Sequence, residues 1–146
     1  MSASGLAVFD KTLQITNIWL DDLMEDHGPD RQLAWRMLSA VLHTLRDRLP
    51  ADLAAHLSAQ LPLLIRGTYY DQYDPSKQPS RIRSLDAFLE QVNEELSSAR
   101  PVDVNEAVRS VFRVLSHFLD PDEARKVREG LPEEIRELWP DPAKLH

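Results

Sequence analysis

Apolar side chains fall at helical spacing through Ala34, Met37, Leu38, Val41, Leu42, Leu45 and Leu49, which predicts a long helix with one buried face. A second stripe runs through Val104, Ala107, Val108, Val111, Phe112, Leu115, Phe118 and Leu119. It begins at Asp103, whose carboxylate suits an N-cap, with Glu106 placed to close a capping box. Each stripe has a weaker one upstream. Ile15, Trp19, Leu20, Leu23 and Met24 form the first; Leu85, Phe88, Leu89, Val92 and Leu96 form the other, with Ser84 as its N-cap. No segment alternates apolar and polar residues over the length of a strand, so the pattern predicts an all-α fold.

The pattern also repeats. Sliding the chain by 70 residues places Val41 on Val111, Leu45 on Leu115, Leu49 on Leu119, Asp52 on Asp122 and Ala54 on Ala124. The match runs on without a gap: Leu61-Pro62 falls on Leu131-Pro132, Ile65-Arg66 on Ile135-Arg136 and Tyr69 on Trp139. Agreement at one fixed offset over about forty residues predicts an internal duplication. The expected architecture is one compact domain over residues 1–146, with repeats at 9–70 and 84–140 joined by a connection at 68–83 and flexible ends at 1–7 and 141–146. Each repeat should hold three to four helices, and the two should pack apolar face to apolar face about a pseudo-twofold axis. In the second repeat the breaks are marked by Asp120 as N-cap, Pro121 in the first turn, Glu123 completing a box, Gly130 ending a helix and Pro132 starting the next.

Composition narrows what such a bundle can do. With 146 residues, 42% of them apolar and 28% charged, the chain can bury a real core without staples, and the absence of cysteine removes disulfides, thiolate metal sites and a cysteine nucleophile. The start "MSASGLAVFD" has neither a basic lead nor a long apolar centre, so neither export nor membrane spanning is expected and a cytoplasmic location is. A formal net charge of −7 repels phosphate backbones, which argues against nucleic acid as a partner. Against that background the connection "RGTYYDQYDPSKQPSRIRS" is a basic island. It gathers Arg66, Lys77, Arg81 and Arg83 against Asp71 and Asp74, together with all three tyrosines of the chain.

The run "AAHLSAQLPLLIRGTYYDQYDPSKQP", the second "LPEEIRELWP" and the long helices before each resemble an uncharacterised bacterial family, domain of unknown function 2267. The likeness covers nearly the whole chain, and its most specific part is the string Leu-Pro-x-x-Ile-Arg-Gly-x-Tyr-Tyr. The family carries a Gly-Trp pair where this chain has Gln72-Tyr73, so an aromatic is kept and a turn glycine is not. The resemblance implies an all-helical fold and transfers no catalytic residue.

Three sets of residues are candidates for chemistry. Arg66 and Arg136, repeated in Leu-Pro-x-x-Ile-Arg, could share an anion; the competing reading is a pair of structural clamps, Asp52 to Arg66 and Asp122 to Arg136, each also complementing a helix end. Tyr69, Tyr70 and Tyr73 could fasten the connection, with Gly67 supplying a positive-φ helix end and Tyr69, like Trp139, plugging its repeat. Alternatively Tyr70 and Tyr73 with Arg81 and Arg83 form a stacking surface for a nucleotide, single-stranded nucleic acid or an acidic peptide. The histidines have no third ligand, and the Glu-x-x-His element of di-iron bundles does not occur, so no metal and no cofactor is expected. Gly-x-Gly-x-x-Gly, Walker and Gly-x-Ser-x-Gly motifs are all missing from a chain with four glycines. The expected function is therefore that of a non-catalytic helical protein acting through a protein partner or self-association, with residues 68–83 as its surface. The alternative is a sensor holding a small ligand or anion in a pocket between the repeats, with an enzyme behind both.

Overall fold

A computed structural model describes residues 4–96 and 101–141. Its helices are α1 (Ala7–His27), α2 (Arg31–Arg48), α3 (Ala51–Gln60), α4 (Leu63–Tyr70), α5 (Leu85–Leu96), α6 (Val104–Phe118), α7 (Pro121–Glu129) and α8 (Glu133–Arg136), with a 3-10 turn at Pro75–Lys77. Among the described residues there is no strand, and the fold is all-α. No helix there is long and apolar enough to cross a membrane.

Three helix starts are capped by side chains, while α3, α4 and α8 open directly after a proline. The Asp30 carboxylate accepts from Leu33 N at 3.0 Å, the Asp103 carboxylate from Glu106 N at 3.2 Å, and the Ser84 hydroxyl from Ala87 N at 3.1 Å. Asp120 departs from expectation, because its side chain makes no capping bond. Glu123 turns instead to Lys126 at 3.6 Å, and α7 starts on the preset φ of Pro121. Residues 4–7, expected as a loose end, carry the entry to α1: Ser4 donates through both its amide and its hydroxyl to the Asp10 carboxylate, at 3.1 and 2.7 Å. Residues 1–3 and 142–146 lie outside the described residues.

The predicted stripes all face one core. Met37, Leu38, Val41, Leu42, Leu45 and Leu49 of the first half join Val108, Val111, Phe112 and Leu115 of the second in a single buried cluster. Truncating one such leucine to alanine costs about 2–5 kcal/mol through lost transfer energy and the cavity left behind. Helix α2 packs on α5 and α6, α1 on α6, and α3 on α7. Exchanging the two halves leaves the α2–α6 and α3–α7 pairings as they are and turns α2–α5 into α1–α6, which is also present.

Hydrogen bonds recur at the spacing read from the sequence. Leu49 N to Leu45 O, Leu61 N to Ser58 O and Arg66 N to Pro62 O reappear seventy positions later as Leu119 N to Leu115 O, Leu131 N to Arg128 O and Arg136 N to Pro132 O. Pro62 and Pro132 hold matching extended conformations, with φ/ψ of −58°/152° and −55°/149°, as the residues that open α4 and α8.

A polar seam closes α1 onto α6. The Arg113 guanidinium donates to the Asp22 and Asp26 carboxylates at 2.9 and 2.8 Å, and His117 Nδ1 lies 2.9 Å from the other Asp22 oxygen. Burial alone would push the Asp22 carboxyl up, but hydrogen bonds from His117 and Arg113, with their charges, hold it below the usual carboxylate range.

Candidate interaction surface

The two repeated arginines each bond to a helix-break carbonyl within their own half, although Arg136 Nε is buried without a partner. Arg66 donates from Nε to the Ser58 carbonyl at 2.8 Å and from Nη2 to the Leu61 carbonyl at 2.7 Å; Arg136 donates from Nη2 to the Leu131 carbonyl at 3.0 Å. Neither clamp forms. Asp52 stays exposed in the first turn of α3, and Asp122 pairs with Arg125 at 3.0 Å. The physical reason is that the broken helix ends at Leu61 and Leu131 leave carbonyls without intrahelical partners, and a planar guanidinium five residues on reaches them directly. Arg66 and Arg136 therefore act as caps, not as the polar ends of a shared pocket.

The tyrosines divide by direction. Tyr69 is fully buried and donates its hydroxyl to the Ala54 carbonyl at 2.7 Å, and burial raises its pKa far above the ordinary phenol value. Its counterpart Trp139 is buried against Phe112, ring centroids 4.6 Å apart, with its indole nitrogen unpaired. Tyr70 is 37% exposed, stands edge-on to Tyr69 at 5.2 Å and donates to the Ser58 hydroxyl at 2.9 Å. Tyr73 hydrogen-bonds the Gln78 side-chain oxygen.

The turn that redirects these rings is not at Gly67. That residue lies inside α4 without a positive φ, and the left-handed residue is Gln72, at φ 61°. Helix α4 simply runs on one turn further than glycine punctuation implied, and the reversal falls after Asp71.

Arg46 and Gln78 organise the connection, and neither stood out in the sequence. Arg46 is 4% exposed; its Nη1 donates to the carbonyls of Tyr69 and Asp71 at 2.8 and 2.9 Å, and its guanidinium carbon lies 5.2 Å from the centre of the Tyr73 ring. Gln78 Nε2 donates to the carbonyls of Arg46 and Leu49, both at 2.8 Å, while Ser80 N donates to the Asp47 carbonyl at 2.7 Å. The crossover is thereby stitched to the last turn of α2. Arg81 and Arg83 remain exposed beyond the stitches. His43, considered above only as a metal ligand, instead links α2 to α5 and α4: Nδ1 meets the Glu95 carboxylate at 3.0 Å and Nε2 meets the Thr68 carbonyl at 2.6 Å. No group of three or more His, Cys, Asp or Glu residues is placed to hold a metal among the described residues.

One surface is left apolar. Leu63, Gly67 and Tyr70 are spaced four and three residues apart on the outer face of α4, and Leu64 beside them is 41% exposed. The first turns of α1 lie next to this face: the Thr12 hydroxyl accepts from Leu64 N at 3.0 Å, and a shallow cleft is lined by Val8, Lys11, Thr12, Ile15, Pro62 and Leu63. Leu6, Val8, Phe9 and Leu13 of this end are between 45% and 55% exposed. A methyl group added at Gly67 would meet no atom within 4 Å.

The family described as an uncharacterised conserved protein, DUF2267, matches the chain over residues 16–138. The chain belongs to this family. Among curated proteins none matches it. Within this DUF2267 chain, the Leu-Pro-x-x-Ile-Arg-Gly-x-Tyr-Tyr string thus spells out a helix break, its arginine cap, the open position at Gly67, one core tyrosine and one surface tyrosine.

Proposed function

We propose that this DUF2267 protein is a non-catalytic, cytoplasmic helical module that pairs with a second copy of itself through the outer face of α4 and the first turns of α1. The observation that carries the reading is Gly67. A glycine inside a helix costs about 0.5–1 kcal/mol relative to alanine, and neither its φ nor any neighbour within the chain requires one there. It makes physical sense where another backbone approaches closely, and it sits between Leu63 and Tyr70 on an apolar stripe.

A second copy fits better than an unrelated partner on grounds of charge. At a formal net charge of −7, most faces of two copies repel one another. The proposed face is almost uncharged, and its one acid and one base, Asp10 and Lys11, are adjacent, so a two-fold contact can set each against its opposite. Sedimentation velocity of the intact chain should give the mass of a dimer, and Leu64→Glu or Phe9→Glu should return it to one chain without unfolding it. Wild-type protein that stays monomeric at concentrations on the order of 100 μM would refute the pairing.

A further inference from the structure

Trp35 packs against the core from α2 yet stays partly exposed. The other tryptophans are buried, each against a phenylalanine ring: Trp19 on Phe118 with centroids 5.0 Å apart, and Trp139 on Phe112. Trp35 makes no ring contact and no hydrogen bond with any described residue. Beside it a cleft of about 350 Å³ opens between α1 and α2, lined by Leu20, Arg31, Gln32, Trp35 and Arg36, a size that suits a small molecule. Leu20 is buried and gives the cleft an apolar base. Arg31 is fixed at its edge, donating from Nη1 to the Asn17 side-chain oxygen at 2.9 Å and from Nη2 to the Asp21 carboxylate at 3.0 Å. That leaves guanidinium N–H groups over. None of the lining residues is acidic, and Arg36 adds a second cation, so the cleft is a positive spot on a chain of net charge −7.

The needs of the core do not account for this set. Seventy positions on, where α6 repeats the apolar stripe of α2, Arg31, Gln32, Trp35 and Arg36 correspond to Pro101, Val102, Asn105 and Glu106, with no aromatic ring and no cation. We infer that the cleft binds a small planar aromatic carboxylate, its ring against Trp35 over Leu20 and its carboxylate held by Arg31 and Arg36. The indole offers an unstacked face and an unused N–H, while guanidinium groups fork onto carboxylates and stack on rings. Inorganic phosphate would meet the cations and leave Trp35 and Leu20 in water; an uncharged ring would do the reverse. The lining residues lie apart from Leu63, Gly67 and Tyr70, so this site does not depend on the pairing proposed for α4.

The test is calorimetric titration of the intact chain with naphthoate, which should saturate with a Kd on the order of 0.1 mM. Arg36→Gln should weaken binding at least tenfold, and because Arg36 is exposed the variant stays folded. Trp35→Ala should weaken it at least as much; Trp35→Phe, which keeps a ring, should retain most of the affinity and serves if the alanine variant unfolds. The uncharged naphthalenemethanol should bind at least tenfold more weakly than naphthoate, and inorganic phosphate should not saturate. Equal affinity for naphthoate in wild type and Arg36→Gln would overturn the assignment. So would an absence of saturation, or naphthalenemethanol or phosphate binding as tightly as naphthoate.

Discussion

The Cβ that Gly130 lacks would lie 2.4 Å from Cδ2 of Leu53. Since Gly130 has φ −76°, an ordinary helical value, its side chain is missing for want of space and not for backbone freedom. The end of α7 is pressed onto α3 of the other half. Gly130→Ala should therefore destabilise by at most about 1 kcal/mol through overpacking, since the atom in the way is the free end of the Leu53 side chain, which can swing aside. In a Leu53→Ala background the methyl has room and the cost should vanish, so that the two changes fail to add in a double-mutant cycle followed by urea melts. Additive values would show that the close approach carries no energy.

Gln72 holds a left-handed backbone that favours glycine. Relief of that strain is partly offset by the greater freedom glycine gives the unfolded chain, leaving a net gain of about 0.5 kcal/mol. Gln72→Gly should raise the urea midpoint by a corresponding amount with the slope unchanged; a lowered midpoint would mean that the Gln72 side chain contributes more than its backbone costs.

Both ring nitrogens of His43 face acceptors, which only the protonated imidazole can satisfy together. Burial lowers its pKa, but the Glu95 carboxylate and the Thr68 carbonyl outweigh that and leave it raised above 6.5. The stabilisation is therefore fully present below the unfolded value and is lost as pH rises through the higher folded one. Asp22 acts in the opposite sense. With its pKa held below 3.8, its contribution is present above that value and disappears as pH falls through the folded one. Melting temperature against pH should thus slope downward just above pH 6.5, and His43→Gln should flatten that slope while leaving the acid limb in place.

Arg46→Lys should cost about 2–3 kcal/mol despite keeping the charge. A lysine ammonium could meet the Tyr69 and Asp71 carbonyls that Nη1 reaches, but it could not at the same time hold Asp47 through a second nitrogen and lay a flat cationic face toward the Tyr73 ring. Faster amide exchange confined to residues 69–80 would mark the loosened segment. Uniform acceleration throughout the chain would instead assign the loss to the core.

The helices were legible because burial follows period. Every residue of the stripe from Ala34 to Leu49 is buried, and the caps at Asp103 and Ser84 form as their residue types dictate. What stayed hidden depends on who stands nearby. Arg66 and Asp52 have the right charges to pair, yet backbone carbonyls at a helix break lie in the way, and no spacing rule announces them. Gly67 and Gly130 look alike in sequence as helix terminators. One turns out to face open space and the other the packed end of a neighbouring helix, a distinction that belongs to the tertiary fold. Arg46 sits among core residues on α2 and reads as a surface base until the crossover folds over it.

The mutual burial of α2 with α5, and of α1 with α6, means that neither half presents a finished interior to itself. Severing the chain at the exposed Pro75–Lys77 turn should therefore yield two peptides that are each unstructured when separated and regain helix only on mixing, a natural split-reporter pair.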